Sequence, residues 1–388
     1  MYKLPVHFEE SDPDFRRLCD FVLTEMQRLQ VPGVSIGLFH NGREHLAGFG
    51  ITSAENPLPV TADTLFQIGS TTKTVTGTII MQLVEKGLLD LDEPVRTYLP
   101  ELRLTDKTAE GIVTTRHLLT HMGGWVGDFF RETGDGDDAL ARYVAEMADL
   151  DQVVPVGTLW SYNNAGFGLA GRLIEVVTGQ TYEAVAQELI LNPLGMTGSF
   201  FFPADVISRA FVVGHRVDEE QGVVVERPWA LTRSVYAVGG LCSSARDQMR
   251  YARYHLGNGQ AANGQQLLSA DTITAMQTPQ CAANQGRLMG LSWIIKDYGD
   301  TRAVLHGGAT NGQLSAFLMV PSRGFAITIL TNAEEGEMLN DKVVAWALER
   351  YLGLKEPALT YLDLGIEKLG EYVGTYEARL DRLSLYLA

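Results

Sequence analysis

The chain predicts an α+β fold, in which one antiparallel sheet is built from both termini and flanked by helices, with a large, mostly helical region inserted between its halves. Three observations carry this expectation. Strand-like apolar runs crowd the two ends, around 34–51 and 302–331. The stretch from about 70 to 300 shows helical spacing interrupted by long loops. With 388 residues, 45% of them hydrophobic, the chain can bury a large core.

Taken in order, residues 14–30 place Phe15, Leu18, Phe21, Val22, Met26 and Leu29 at helical spacing, and Pro32-Gly33 ends that helix. Val34–Phe39 and Glu44–Ile51 flank the turn residues His40-Asn41-Gly42-Arg43 and read as a hairpin that starts the sheet. Helical patterns follow at 71–86, 115–120, 137–148, 165–178, 181–190, 245–257 and 269–276. Strands return at Arg302–Leu305, Gln313–Val320 and Gly324–Thr331, and the helix Asp341–Tyr351 closes the region. Residues 1–355 therefore read as one domain, with a sheet subregion at about 14–69 and 300–355 and a helical subregion at about 70–299. Residues 356–388 read as a linker and a short β segment, with strands at Glu371–Tyr376 and Arg382–Leu387. Two strands alone are marginal, so they either lie on the main domain or open a further β-domain.

The net charge of −16 argues against nucleic acid and anionic membranes as partners. No run approaches the roughly 18 apolar residues of a membrane span. The first ten residues lack the basic-then-apolar pattern of a signal peptide, so a cytoplasmic protein is expected. Cys19, Cys242 and Cys281 are odd in number and far apart, which suits neither a disulfide framework nor a zinc ribbon.

The chemistry centres on Phe66-Gln-Ile-Gly-Ser-Thr-Thr-Lys-Thr-Val75. Ser70 sits where a helix begins, and Lys73 at i+3 shares its face. A lysine stripped of water can take the serine proton, and the helix N-terminus favours negative charge on an attacked carbonyl oxygen. The plainer alternative is an N-capping serine with a solvated lysine. In the loop Pro155–Asn164, Tyr162 and Asn164 place a phenol and an amide two residues apart. A tyrosine beside a cationic lysine would lose its proton more readily and shuttle protons. The alternative is a turn and N-cap with Tyr162 in the core. After the strand 302–305, His306-Gly307-Gly308 allows close backbone approach to a ligand, with Ala309 N–H as a second oxyanion donor beside that of Ser70. His306 itself is a candidate to hydrogen-bond substrate or Tyr162; the alternative is a glycine-rich strand end. His117 and His121, at i and i+4, would bind a metal only with a third ligand; a helix end finished by Gly123-Gly124 competes with that reading. Gly166-Phe-Gly-Leu-Ala-Gly171 matches a dinucleotide pattern but lies inside a helix candidate and follows no strand.

Assembled, Ser70-Thr-Thr-Lys73, Tyr162-Asn-Asn164 and His306-Gly-Gly308 resemble, in order and spacing, the three active-site motifs of serine β-lactamase-like and penicillin-binding-protein-like hydrolases, the group of class C β-lactamases, DD-peptidases and family VIII esterases. His117–Gly124, Pro155–Asn164, Asn192–Thr197 and Val238–Asp247 are similar to further segments of that family, and the resemblance spans roughly 15–352. It implies a β-lactamase/transpeptidase-like fold and an acyl-enzyme on Ser70, with Lys73 as general base. Tyr162 would share the proton transfers and activate the deacylating water. Asn164 would orient Lys73 and the substrate carbonyl, and the Ser70 and Ala309 N–H groups would form the oxyanion hole. No metal and no organic cofactor are implied. His306 stands where β-lactamases of this type usually carry lysine, which points to an esterase or a D-peptidase/carboxypeptidase-like enzyme acting on a small ester, amide or peptide. A β-lactamase, an acyltransferase using the same site and a non-turnover penicillin-binding sensor are the alternatives. The oligomeric state is left open. The cleft is expected to be lined from Trp125, Phe129-Phe130, Trp160, Trp229 and Tyr236, with Arg233 and Arg302 as basic candidates for a substrate carboxylate. The tail from Glu371 resembles the opening of a lipocalin-like C-terminal barrel.

Overall fold

The computed structural model describes residues 6–8, 12–356, 364–377 and 382–386. Leu387 of the expected last strand and most of the N-terminal segment read for a signal peptide lie outside the described residues. The chain divides into two compact units, residues 1–354 and 355–388.

The first unit is organised on a nine-stranded antiparallel sheet. In chain order its strands are β1 (Val6–Phe8), β2 (Gly33–His40), β3 (Arg43–Gly50), β4 (Cys281–Ala282), β5 (Leu288–Met289), β6 (Ile294–Tyr298), β7 (Thr301–Thr310), β8 (Gln313–Val320) and β9 (Phe325–Thr331). Their spatial order is β1-β3-β2-β9-β8-β7-β6-β5-β4, so β2 from the first part of the chain pairs with β9 from the last. Asn332 ties that junction: its Oδ1 accepts from Gly33 N at 2.6 Å, and its Nδ2 donates to the carbonyls of Ile51 and Thr52.

Helix α1 (Pro13–Leu29) begins at Asp12, whose carboxylate caps the N–H groups of Asp14 and Phe15, with Pro13 at the first helical position. Its apolar stripe of Phe15, Leu18, Val22 and Met26 is fully buried against one sheet face, together with α5 (Gly336–Ala347). Each such side chain contributes about 1.5–3 kcal/mol through burial. Strand β9 shows why its sequence is continuously apolar: Phe325, Ile327 and Ile329 face the α1/α5 side, while Ala326 and Leu330 join the core under the helical region.

Within that region α2 (Thr72–Glu85), α3 (Asn164–Thr178) and α4 (Ala245–Leu256) fall where the spacing placed them, as do Thr115–Leu119, Ala139–Glu146, Tyr182–Ala186 and Ala270–Met276. Among the described residues no helix is long and apolar enough to cross a membrane. Two boundaries differ from the expectation. The second half of the sheet begins at Cys281 rather than near 300, because β4 and β5 are two residues long and carry no readable alternation. Strand β7 runs to Thr310, so His306-Gly-Gly lies within it rather than after it. Glycines weaken the intrinsic strand signal, but pairing of Gly307 with Ala316 and of Gly308 with Ser315 extends the ladder.

The second unit holds a short helix, Ile366–Gly370, and a hairpin pairing Gly374–Glu377 with Arg382–Leu385. Its first strand thus starts at Gly374; Glu371 and Tyr372 form a turn instead.

Candidate active site

The Ser70 turn is held by the sheet. Ser315 on β8 donates its hydroxyl to the Ile68 carbonyl at 2.7 Å and lies 2.9 Å from the Thr71 hydroxyl. Gly69 adopts φ +50°, and a Cβ there would fall 2.6 Å from Ala309 N, so only glycine fits. One 3-10 turn, Gly69–Thr71, carries Ser70 directly into α2. This helix is buried all round from Thr72 to Leu83. That explains its run of threonines, whose hydroxyls bond locally, as Thr74 does to Thr71 O and Thr78 to Thr74 O.

Lys73 is completely buried. Its Nζ lies 2.8 Å from Ser70 Oγ and 3.0 Å from the Val238 carbonyl. Loss of hydration pushes its pKa well below 10.5, while Asp128 pulls the other way. A neutral amine at this distance has a lone pair for the serine proton. The solvated-lysine alternative is thereby excluded.

Tyr162 lies over the same ammonium position, its ring centroid 4.9 Å from Lys73 Nζ. Burial raises its pKa, and a hydrogen bond with Ser70 only partly offsets this. The expected easy loss of the phenolic proton is therefore corrected: desolvation of the phenol dominates, and the charge of Asp128 adds to it. The His121 ring lies tilted against the tyrosine, their centroids 4.4 Å apart, and Phe167 and Trp160 also pack around His121. His121 sits at φ +58° just past the helix Thr115–Leu119, and its Nδ1 accepts the Asn163 N–H at 2.9 Å. His117 Nδ1 instead accepts the Thr114 N–H in a capping box. The two imidazoles thus serve different backbone groups, not a shared metal, and the helix ends before Gly123-Gly124.

Asn164 opens α3 and is 7% exposed. Its Nδ2 donates to Asp128 Oδ1 at 3.1 Å, whereas Lys73 is held by Ser70 and Val238; the expected Asn164–Lys73 contact is not made. Gly127 makes the Asp128 approach possible: its carbonyl accepts from Asn164 N and Ala165 N, and a Cβ there would lie 2.3 Å from Tyr162 O.

On the opposite wall, Gly308 packs so closely that a Cβ would lie 2.0 Å from Ile68 O and 2.6 Å from Ser70 N. The pairing of β7 with β6 stops at Leu305, leaving 306–310 with one unpaired edge beside Ser70. Ala309 N reaches the Gly69–Ser70 turn along this edge. His306 is 2% exposed; its Nδ1–H donates to Gly307 O at 2.6 Å, and its Nε2 has no partner. Its Nδ1 is spent on Gly307 O and its Nε2 meets no donor or acceptor, so the expected hydrogen bond to Tyr162, whose ring stands 6.2 Å away, is not made. Burial, with Lys73 nearby, lowers its pKa to about 4.

A cleft of about 400 Å³ opens along β7, with Ser70, Tyr162 and residues 306–309 on its wall. None of the aromatic residues expected there lines it; Trp125, Phe129 and Tyr236 are core residues. Arg233 pairs with Glu183 and Asp137, and Arg302 with Asp297. The cleft's arginine is Arg287, which no sequence motif marked. Asp128 was equally invisible in the sequence, since only folding brings it onto Asn164.

A family model described as Beta-lactamase matches residues 20–349. Penicillin-binding protein 4 of Amycolatopsis lactamdurans is 34% identical over 311 residues, covering 78% of this chain and 81% of that protein. The crystal structure of SurE with D-Leu superposes with a TM-score of 0.78 at 26% identity, covering 94% of this chain and 82% of SurE. The octameric penicillin-binding protein homologue from Pyrococcus abyssi gives a TM-score of 0.74 at 28% identity, covering 87% of this chain and 79% of its own. With the Ser70–Lys73 pair, the half-buried Tyr162 and the β7 edge converging on one cleft, this chain belongs to the β-lactamase family of serine hydrolases.

Proposed function

We propose that this protein cleaves a small ester, amide or peptide through an acyl-enzyme on Ser70. The observation that carries this is Lys73 Nζ, fully desolvated and 2.8 Å from Ser70 Oγ. Neutral Lys73 takes the hydroxyl proton as Oγ attacks the carbonyl carbon. The oxygen of the tetrahedral adduct faces the Ser70 and Ala309 N–H groups. Tyr162, protonated at neutral pH, gives its proton to the leaving amine or alcohol and is reprotonated from the Lys73 ammonium. Water then attacks the acyl ester; its proton passes by the same pair, and Ser70 Oγ leaves as the hydroxyl. Gly307 and Gly308 keep the β7 edge open for the substrate backbone, and Asn164 faces the acyl portion. No step calls for a metal or an organic cofactor.

Within this class we favour peptides or esters containing D-residues. Support comes from the likeness to SurE, solved with D-Leu, and to penicillin-binding protein 4. Histidine at 306 in place of the usual lysine disfavours efficient β-lactam turnover. Hydrolysis of p-nitrophenyl acetate, a D-amino-acid amide and nitrocefin by the wild type and Ser70→Ala tests the reading. Ser70→Ala is expected to lose about 10⁴-fold or more of kcat on whichever substrates turn over. Undiminished ester hydrolysis by that variant would overturn the assignment, and nitrocefin as the fastest substrate would reverse the preference.

A further inference from the structure

We infer that Asp128 recognises a positively charged amino group on the acyl side of the substrate, making this a hydrolase of aminoacyl esters, amides or peptides with a free α-amine. The inference rests on the serine-hydrolase reading above and names the substrate class of that site. Asp128 is exposed, and Asn164 Nδ2 engages one of its oxygens. Among the described residues it makes no ion pair with a lysine or arginine. The neighbouring arginine in sequence, Arg131, is engaged by Glu146. A carboxylate left without a cation at a catalytic centre is a ready partner for one brought by the substrate.

Its placement is built into the backbone. The Gly127 carbonyl is stapled to the first two N–H groups of α3, and Gly127 has no room for a side chain against Tyr162 O. Asp128 is thereby fixed beside Asn164 rather than swinging in solvent. It acts electrostatically on both Lys73 and Tyr162, which places its charge within reach of the reacting centre. The cleft along β7 has Ser70 and Tyr162 on its wall but neither Asn164 nor Asp128. A leaving group in that cleft therefore puts the acyl group on the Asp128 side. There an α-ammonium, two bonds from the attacked carbon, meets the free carboxylate oxygen. The net charge of −16 steers cations inward in the same sense.

The test compares D-alanine p-nitroanilide with its N-acetyl counterpart, and the same pair in the L series, on wild type and Asp128→Asn. Asparagine keeps the shape and the acceptor for Asn164 while removing the charge. The wild type is expected to favour the free amine at least 10-fold in kcat/KM in one series. Asp128→Asn is expected to reduce that ratio by 10- to 100-fold, chiefly through KM. A wild-type ratio at or below one in both series overturns the proposal. So does an equal fall on both substrates, which would make Asp128 only a brace for Asn164. Failure of the underlying reading looks different: Ser70→Ala would still hydrolyse the N-acetyl substrate.

Discussion

At the residue scale the site turns on the charge state of Lys73. Its amine is surrounded by protein, which lowers its pKa, and burial raises that of the adjacent phenol. A cation at this position could stabilise an oxyanion but could not accept the Ser70 proton. The two roles separate in Lys73→Arg, which keeps a permanent charge and supplies no base. Lys73→Arg is expected to lose kcat/KM on p-nitrophenyl acetate by about 10³-fold, as much as Lys73→Ala. Substantial rescue by arginine would show that charge, not basicity, is what the position provides. The pH profile follows the same logic. Activity should fall on the acid side as Lys73 protonates through its lowered pKa, with no alkaline rise from Tyr162. Much of this was legible beforehand: the i, i+3 spacing paired Ser70 with Lys73, and the motif order placed Tyr162 beside them, whereas Asn164 bonds Asp128 instead of Lys73. The direction of the Tyr162 shift was not, because it depends on how much water the fold removes. Asp128 and Arg287 were missed for a related reason. A lone charge in a loop carries no periodicity, and only tertiary contact gives it a meaning.

At the element scale the decisive feature is the contact between strand β7 and the Ser70 turn. Gly308 and Gly69 let two backbones meet where any Cβ would collide with main-chain atoms. Gly307, one position along, is different: a Cβ there meets only Ser315 O at 3.2 Å. Gly308→Ala must push β7 away from Ser70, opening the oxyanion site and costing about 1–3 kcal/mol in packing strain. Since a 1 Å misplacement can cost about 100-fold in rate, Gly308→Ala should lower kcat/KM by about that factor. Gly307→Ala should cost less than about 1 kcal/mol in stability. Thermal melts and ester kinetics on the two variants check this, and equal effects would show that the close approach is not what positions Ser70. The sequence revealed the glycines as a place of close approach but not the length of the strand. Periodicity faded at Leu305, yet the ladder with β8 supplied pairing that local propensity did not.

At the scale of the whole molecule, the two chain ends were recognisable as halves of one sheet because strand-length apolar runs bounded by turn residues mark them. The far edge was not, since β4 and β5 are two residues long and the five-residue β6 is too short to show a clear pattern. Folding also creates a global property absent from composition: several histidines are buried where they cannot hold a proton. His255 lies between Tyr251, Tyr254 and Trp293, and burial lowers its pKa to about 3. His306 is lowered to about 4 and His121 well below 6.5; His40, His117 and His215 move in the same direction. In the unfolded chain each titrates near 6.5. Between that value and the folded pKa the unfolded state binds the extra proton, so stability present above about pH 6.5 is lost as pH falls. At pH 5 His255 and His306 each cost about 2 kcal/mol relative to neutral pH, about 4 kcal/mol together, and His121 adds to this in the same direction. Glu175 and Asp247, whose carboxyls burial pushes up, work in the opposite direction. The carboxylates lowered by arginine partners lose their contribution mainly below this window, because an unfolded carboxylate titrates near 4. Urea unfolding at pH 7.5, 6 and 5 should therefore show stability dropping by several kcal/mol over a range where few carboxylates titrate. His255→Gln, which cannot take up a proton in either state, should remove about 2 kcal/mol of that pH-dependent drop while lowering stability at pH 7.5 through lost packing. A stability that is level from pH 7.5 to 5, or a slope unchanged by His255→Gln, would mean that these rings accept protons in the folded protein and that water reaches them.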